Sequence, residues 1–328
     1  MYAVVDVGSN TVRLNIYKLE YGNLSLVLNK KESVGLASYV KNGQMMPSGI
    51  NRVSQVLLDF KTLLDDLQIK NVNVFATAAL RNAKNSKAAV AEVEKRAGIK
   101  VQVISGETEA ELDFIGASHA VEVTDGLLVD IGGGSTELVP YKNGKIKKAV
   151  SIPLGSLNTH DRFVTGILPN KDDRKAIKKA VLAEIAKYPD FKGGKYPIIC
   201  GVGGTCRAAN KMNIDMFRLP LENSNIKFAN LKRMIRILEN KDKEAVSVDT
   251  LDIMLRVVPD RVRTLLPGMI VLETVAKYFG SESIEVTNAG VRDGFLYKYV
   301  VPEALKEEKK DEKAEKKAEK KTKKKGKA

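Results

Sequence analysis

Asp130-Ile131-Gly132-Gly133-Gly134-Ser135-Thr136-Glu137 stands between two apolar runs, Leu127 to Val129 and Leu138-Val139. The pattern reads as a buried strand ending in a carboxylate, a glycine turn, two hydroxyls and a second carboxylate on the next strand. Three glycines remove the side chains that would keep backbone N–H groups from approaching an anion. Asp130, at the strand end, can hold a divalent cation directly or through its waters. The same order of roles opens the chain, with Tyr2 to Val5 as a strand, Asp6-Val7-Gly8-Ser9-Asn10-Thr11 as the loop and Val12 to Tyr17 as the return strand. One glycine hairpin is ordinary structure. Two with the same order of roles, about 125 residues apart, predict a duplicated fold whose halves face each other across a phosphate-containing cleft.

Working outward from the first hairpin, Leu24 to Val34 reads as a third strand and residues 35–46 as an exposed loop. A helix starts at Pro47, where Val53, Val56, Leu57, Phe60 and Leu64 share one apolar face. Val72 to Thr77 is a strand, Ala83 to Ala97 a helix closed by Gly98, and Val101 to Ile104 another strand. Ser105-Gly106-Glu107-Thr108-Glu109-Ala110-Glu111 opens the next helix. Thr108 and Glu111 fit a capping box there, and acids in a first turn suit the helix dipole, so Glu109 needs no catalytic role to be explained.

The second half repeats the plan, with strands over 126–131, 135–141 and 144–152, and helices over 156–165 and Asp172 to Tyr188. Tyr196 to Cys200 is a strand entering Gly201-Val202-Gly203-Gly204-Thr205, which opens a helix. That turn either offers N–H groups to a phosphate or is only a tight strand–helix junction. Helices over Asn230 to Glu239 and Asp260 to Phe279, a strand over Ile284 to Thr287 and a last helix from Val291 complete the pattern. Alternating strands and helices predict an α/β protein.

Composition bounds the function. The length of 328 residues suffices for two domains and a sizeable core. The apolar runs are too short for a transmembrane helix, and Asp6 interrupts any signal-like stretch, so neither a membrane span nor a secretory signal is expected. Two cysteines, Cys200 and Cys206, make no disulfide framework, and the cytoplasm is the simplest compartment. Of the net charge of +14, residues 306–328 carry +6 and the rest +8. A basic body favours polyanionic partners. The Lys-rich end reads as a disordered, solubilising tail or as a dock for polyanions.

With Ile104 to Ala110 and Thr77-Ala78-Ala79-Leu80-Arg81 added to the two hairpins and to Gly201 to Thr205, residues 2–300 resemble the exopolyphosphatase / guanosine pentaphosphate phosphohydrolase family. The resemblance implies two ribonuclease H-like domains of the actin, sugar-kinase and chaperone-ATPase superfamily with an interdomain cleft. It implies domain I over 1–122, domain II over 123–305 and a tail over 306–328, with a last helix at about 291–303 packed back on domain I. Asp6 and Asp130 would sit near Mg²⁺, with Mn²⁺ as the alternative. Phosphates would be held by Gly8, Ser9, Asn10, Thr11, by Gly132, Gly133, Gly134, Ser135, Thr136, and by Gly203, Gly204, Thr205. Arg81 would stabilise phosphoryl charge, while Arg13 and Arg261 would face the substrate channel. Glu109 matches the general base and Glu137 the second catalytic acid.

The implied activity is a Mg²⁺-dependent exopolyphosphatase, with guanosine pentaphosphate 5′-phosphohydrolase as the alternative, acting as a homodimer. A superfamily ATPase or kinase, or a non-catalytic polyanion-binding protein, are the readings from other classes. Some residues depart from the family pattern. His119 and His160 are the only histidines, so the His-Asp metal cluster of longer members is absent. Thr108 stands where many members have Glu. Arg263 replaces an Asp, which adds a positive charge near the cleft or alters a local salt bridge.

Overall fold

The computed structural model describes residues 1–20, 23–122, 124–239 and 246–303. The expectations for the Lys-rich tail therefore lie outside the described residues.

Two mixed sheets form the scaffold, and both are wound in the same way. In the first, Tyr2–Val7 pairs antiparallel with Thr11–Glu20, which pairs antiparallel with Asn23–Ser33. On its other side Tyr2–Val7 pairs parallel with Asn71–Ala76, and that strand pairs parallel with Gln102–Val103. In the second sheet Gly126–Ile131 pairs antiparallel with Thr136–Lys142 and parallel with Ile198–Val202. Thr136–Lys142 continues antiparallel to Lys145–Ile146 and Val150–Ile152, and Ile198–Val202 continues parallel to Ser283–Val286. Both sheets share the arrangement of an antiparallel hairpin whose first strand is flanked on its other side by two parallel strands, as in a ribonuclease H-like domain, and the second sheet adds the antiparallel edge strand Asn225–Lys227.

The strand centres are near-continuous apolar runs because helices cover both faces. One face of the first sheet packs on the helices Pro47–Asp66 and Ser86–Ala97 through Val53, Leu57, Phe60 and Val93. Its other face packs on Gly106–Ser118 and on the last helix, Val291–Phe295, through Val4, Phe75, Leu112 and Phe295. Small residues let these two helices touch. A Cβ on Gly116 would lie 2.3 Å from the Gly290 carbonyl, and one on Gly294 would lie 1.8 Å from that of Leu112. The second sheet buries its apolar face against Lys171–Ile185, Phe228–Leu238 and the almost wholly buried helix Leu265–Tyr278.

Several expected elements differ. Residues 35–46 are not an exposed loop. They hold a 3₁₀ turn, Leu36–Tyr39, and a small hairpin of Val40–Lys41 with Gln44–Met45, with Leu36 and Met45 buried in the first core. The Asn85 side chain bonds both the N–H and the C=O of Met45, at 2.8 and 3.0 Å. The helix expected from Ala83 starts at Ser86, and a short helix, Ala78–Arg81, precedes it unforeseen. The helix expected from Asp260 starts at Leu265, after a 3₁₀ turn over Pro259–Arg261. The helix Val248–Val257 and the edge strand Asn225–Lys227 were not foreseen. Among the described residues no helix is long and apolar enough to cross a membrane.

Candidate active site

The two glycine hairpins are the same structure. Asp6 pairs with Arg13 and Val7 with Val12 in one, while Asp130 pairs with Glu137 and Ile131 with Thr136 in the other. Gly8 donates to the Thr11 carbonyl at 3.1 Å, and Gly132 donates to the Ser135 carbonyl at 3.0 Å. The carbonyls between are held from outside. Those of Ser9 and Asn10 accept from Ala37, Val34 and Gly35, and those of Gly132 and Gly133 accept from Ser156, Leu157 and Asn158. The Asn158 side-chain amide donates to the Gly134 carbonyl. In a trans peptide the next N–H points opposite to the carbonyl. The amides of Asn10, Thr11, Gly133, Gly134 and Ser135 are thereby aimed at the cleft these loops line.

The loops meet closely enough to require glycine. A Cβ on Gly134 would lie 2.5 Å from Ser9 Oγ, and one on Gly155 would lie 2.5 Å from the Gly133 backbone. Gly203, with φ +80°, brings the start of the helix Gly203–Phe217 against Asp130, where a Cβ would come within 1.8 Å of Oδ1. Gly204 does the same for Arg261, whose guanidinium would lie 2.2 Å from a Cβ. That helix N-terminus adds its free N–H groups to the cleft.

Glu109 is buried on the helix Gly106–Ser118 and lines the cleft. Arg81 Nη1 donates to its Oε2 at 2.6 Å. Burial pushes the Glu109 carboxyl up to about 7, against the pull of Arg81 and with a smaller push from Asp130 and Asp6. Ser105, rather than Thr108, caps this helix, its Oγ accepting from the Thr108 N–H at 3.1 Å.

Arginines provide the positive wall. Arg13, Arg207, Arg261 and Arg292 all line the cleft. Burial and then the proximity of Arg292 and Arg207 pull Arg13 down to about 10, the mark of crowded cations without enough anions among them. A phosphate chain would relieve that crowding.

Other expected site residues are engaged by protein partners. Arg81 binds Glu109, the Ile104 carbonyl and Ser151 Oγ. Thr136 and Thr205 spend their hydroxyls on the carbonyls of Leu154 and Ile131, at 2.5 and 2.7 Å, so neither is free to donate to phosphate. Glu137 lies behind the loop, where Ser135 Oγ and Ser151 Oγ donate to its Oε1 at 2.8 and 2.7 Å. Asp6, expected beside the metal, is ion-paired with Arg292 at 2.9 Å. His119 stacks on Tyr297, while His160 bonds the Ile167 carbonyl and touches Arg263 and Asp161. Arg263 pairs with Asp161 at 3.5 Å, a local salt bridge.

Three cleft residues were missed from sequence: Asp113, Arg207 and Arg292. Asp113 had a signal, since it follows Glu109 by four residues and so shares its helix face. Arg207 follows the Gly201–Thr205 turn on the helix that the turn opens, and Arg292 lies on a segment with no motif of its own. The cleft holds a set of carboxylate donors for a cation. One carboxylate oxygen from each of Asp113, Asp130 and Glu137 lies within 4.8 Å of the others. Both oxygens of Asp113 and Oδ1 of Asp130 are buried without a hydrogen-bond partner. Hard oxygen donors in this state fit a hard divalent ion.

The Ppx/GppA phosphatase family model matches residues 15–303. A guanosine-5′-triphosphate,3′-diphosphate pyrophosphatase of Pseudoalteromonas translucida is 31% identical over 312 residues, covering 92% of this chain. The chain spans 60% of that curated relative's length. The crystal structure of an exopolyphosphatase from Cytophaga hutchinsonii superposes with a TM-score of 0.79 at 25% identity, over 90% of this chain and 96% of that one. A Ppx/GppA family member of Aquifex aeolicus gives 0.71 at 26% identity, over 93% and 98% of the two chains.

Proposed function

The chain belongs to the Ppx/GppA phosphatase family, and from that premise we propose that it hydrolyses the terminal phosphoanhydride of a polyphosphorylated substrate. The observation that carries this reading is Glu109, a buried carboxylate raised to about 7 that opens onto the same cleft as the two glycine loops. The terminal phosphoryl group lies between the loops, its oxygens on the amides of Asn10, Thr11, Gly133, Gly134 and Ser135. Arg13, Arg207 and Arg261 balance the charge on the phosphate that leaves. Glu109 accepts the proton of the attacking water while Arg81 fixes its orientation. A base with this pKa is about half ionised at neutral pH and basic enough to take a proton. Phosphoryl transfer needs positioning and charge neutralisation more than a covalent nucleophile. Mg²⁺, with Mn²⁺ as the alternative, would be held at Asp130 and would supply charge neutralisation at the phosphoryl oxygens.

Two substrates fit this chemistry. Guanosine pentaphosphate takes first place, because the 31% identical relative bears a guanosine-phosphate activity in its name. A pocket next to the cleft, sharing Asn10 and Arg261 with it, adds the Tyr39 ring and apolar Val34, Leu157 and Val262, suitable walls for a nucleoside. Inorganic polyphosphate, first in the sequence reading, is supported by the likeness to the Cytophaga exopolyphosphatase over 96% of that chain. Initial rates of phosphate release from both substrates, with Mg²⁺, separate the two. Tyr39→Ala should raise KM for the guanosine substrate about fivefold, the value of one modest stacking contact, and leave polyphosphate unchanged. Release from polyphosphate alone would transfer the reading to exopolyphosphatase. Release from neither would end the hydrolase reading.

A further inference from the structure

Asp113 is the least explained side chain in the molecule. It is a carboxylate with 0% exposure, on a helix whose surroundings here are mostly apolar. Neither of its oxygens has a hydrogen-bond partner. Leaving such a group unsatisfied costs stability, so a buried one calls for an occupant beside it. It faces two further acids, Asp130 and Glu137, with ligand atoms of all three within 4.8 Å of one another. The nearby arginines do not neutralise it. Arg81 binds Glu109, Arg292 binds Asp6 and Arg207 bonds the Asn288 carbonyl.

We propose that Asp113, Asp130 and Glu137 form a deep three-carboxylate site for one divalent cation, with Asp113 as a direct ligand and Asp6 excluded from it. Three oxygens on one side leave the remaining positions of an octahedral ion to water. Asp113 comes from the helix that carries Glu109, one turn earlier, whereas Asp130 and Glu137 come from the two strands of the second hairpin. The ion therefore ties the base-bearing helix to the phosphate loop and sets the reach of Glu109 toward that loop. Asp113 is a positioning residue for the hydrolysis and a ligand for the ion. The proposal uses the hydrolase reading only for that positioning role, and ion binding itself needs no substrate.

Mn²⁺ titration of the full chain without substrate, followed by the loss of the free-ion EPR signal, tests it. Asp113→Asn should weaken binding by at least about tenfold, the lower end of what even an outer-shell change costs at a metal site. Asp6→Asn should weaken binding less than Asp113→Asn does, because Asp6 is bound to Arg292 and is no ligand. The other way to hold Asp113 beside Asp130 is a shared proton. An asparagine amide would replace that donor, so unchanged Mn²⁺ binding in Asp113→Asn overturns the proposal. Hydrogen exchange supplies a second readout: Mn²⁺ should protect residues 106–118 in the wild type and not in Asp113→Asn or Asp113→Ser. Equal protection in all three also overturns it. A protein that binds Mn²⁺ through Asp113 but releases no phosphate would remove the hydrolase reading and keep the site.

Discussion

The two glycine hairpins share their length, their closing hydrogen bond and their leading aspartate, yet they differ in sign. Across the strand from Asp6 stands Arg13, and across from Asp130 stands Glu137. The first hairpin is further supplied with Arg292, bound to Asp6 at 2.9 Å, so its carboxylate is neutralised within the protein. The second gathers Asp113 and Glu137 around an Asp130 oxygen that has no partner. One backbone design thus yields a carboxylate neutralised by an arginine and another grouped with two further acids. A motif fixes where a carboxylate sits. Its neighbours decide what that carboxylate does.

The sharpest test of this contrast concerns the point where both hairpins meet the base. Glu109→Gln should lower kcat by about 10²–10⁴-fold with the fold intact, measured as phosphate release beside a thermal melt. A variant retaining full activity would mean that the hairpins converge on some other group.

Next in size is the paired substitution of the two aspartates. Asp130→Asn should lower kcat about 10²–10³-fold, as loss of a charge-stabilising contact does, without loss of stability. Asp6→Asn should instead destabilise by about 3–5 kcal/mol in urea unfolding, because it strands the buried Arg292 without its anion. If the two variants behaved alike, the difference between the hairpins would carry no energy.

The smallest effect is in the pH dependence. The Glu109 carboxyl, raised to about 7 from an ordinary 4.5, must be ionised to act as base, so kcat/KM should climb as pH rises through about 7 and then level off. Stability runs the other way for this group. Its protonated form is favoured by the fold, so its contribution is fully present below about 4.5 and is lost as pH rises through about 7. Glu109→Gln should flatten both profiles across that window.

The hairpins themselves were legible because a strand ending, a glycine run and a hydroxyl pair are local patterns. Glu109 was legible only through resemblance, since its position in a first helical turn has a sufficient structural explanation. Arg292 and Arg207 were not legible, because what qualifies them is a partner 286 residues away in one case and an Asn288 carbonyl in the other. Asp113 could have been found by extending the helix face of Glu109 by one turn. Residues 35–46 misled because their glycines and polar residues interrupt any regular period, and only Leu36 and Met45 of the stretch are buried. Arg81 is bound to Glu109, a partner that sequence could not show, since a guanidinium can serve a carboxylate or a phosphate with the same fork.

The return of the last helix to the first sheet has a consequence for synthesis. The chain leaves that sheet after Ser118, builds the entire second one, and only then delivers Val291, Phe295, Leu296 and Val300 to the face lined by Val4 and Phe75. A nascent chain emerging at about 5–20 residues per second would leave that face covered by Gly106–Ser118 alone for roughly ten seconds or more. The first sheet is therefore made before the second and finished after it. For that interval its safety against aggregation rests on whatever else in the cell shields an apolar sheet.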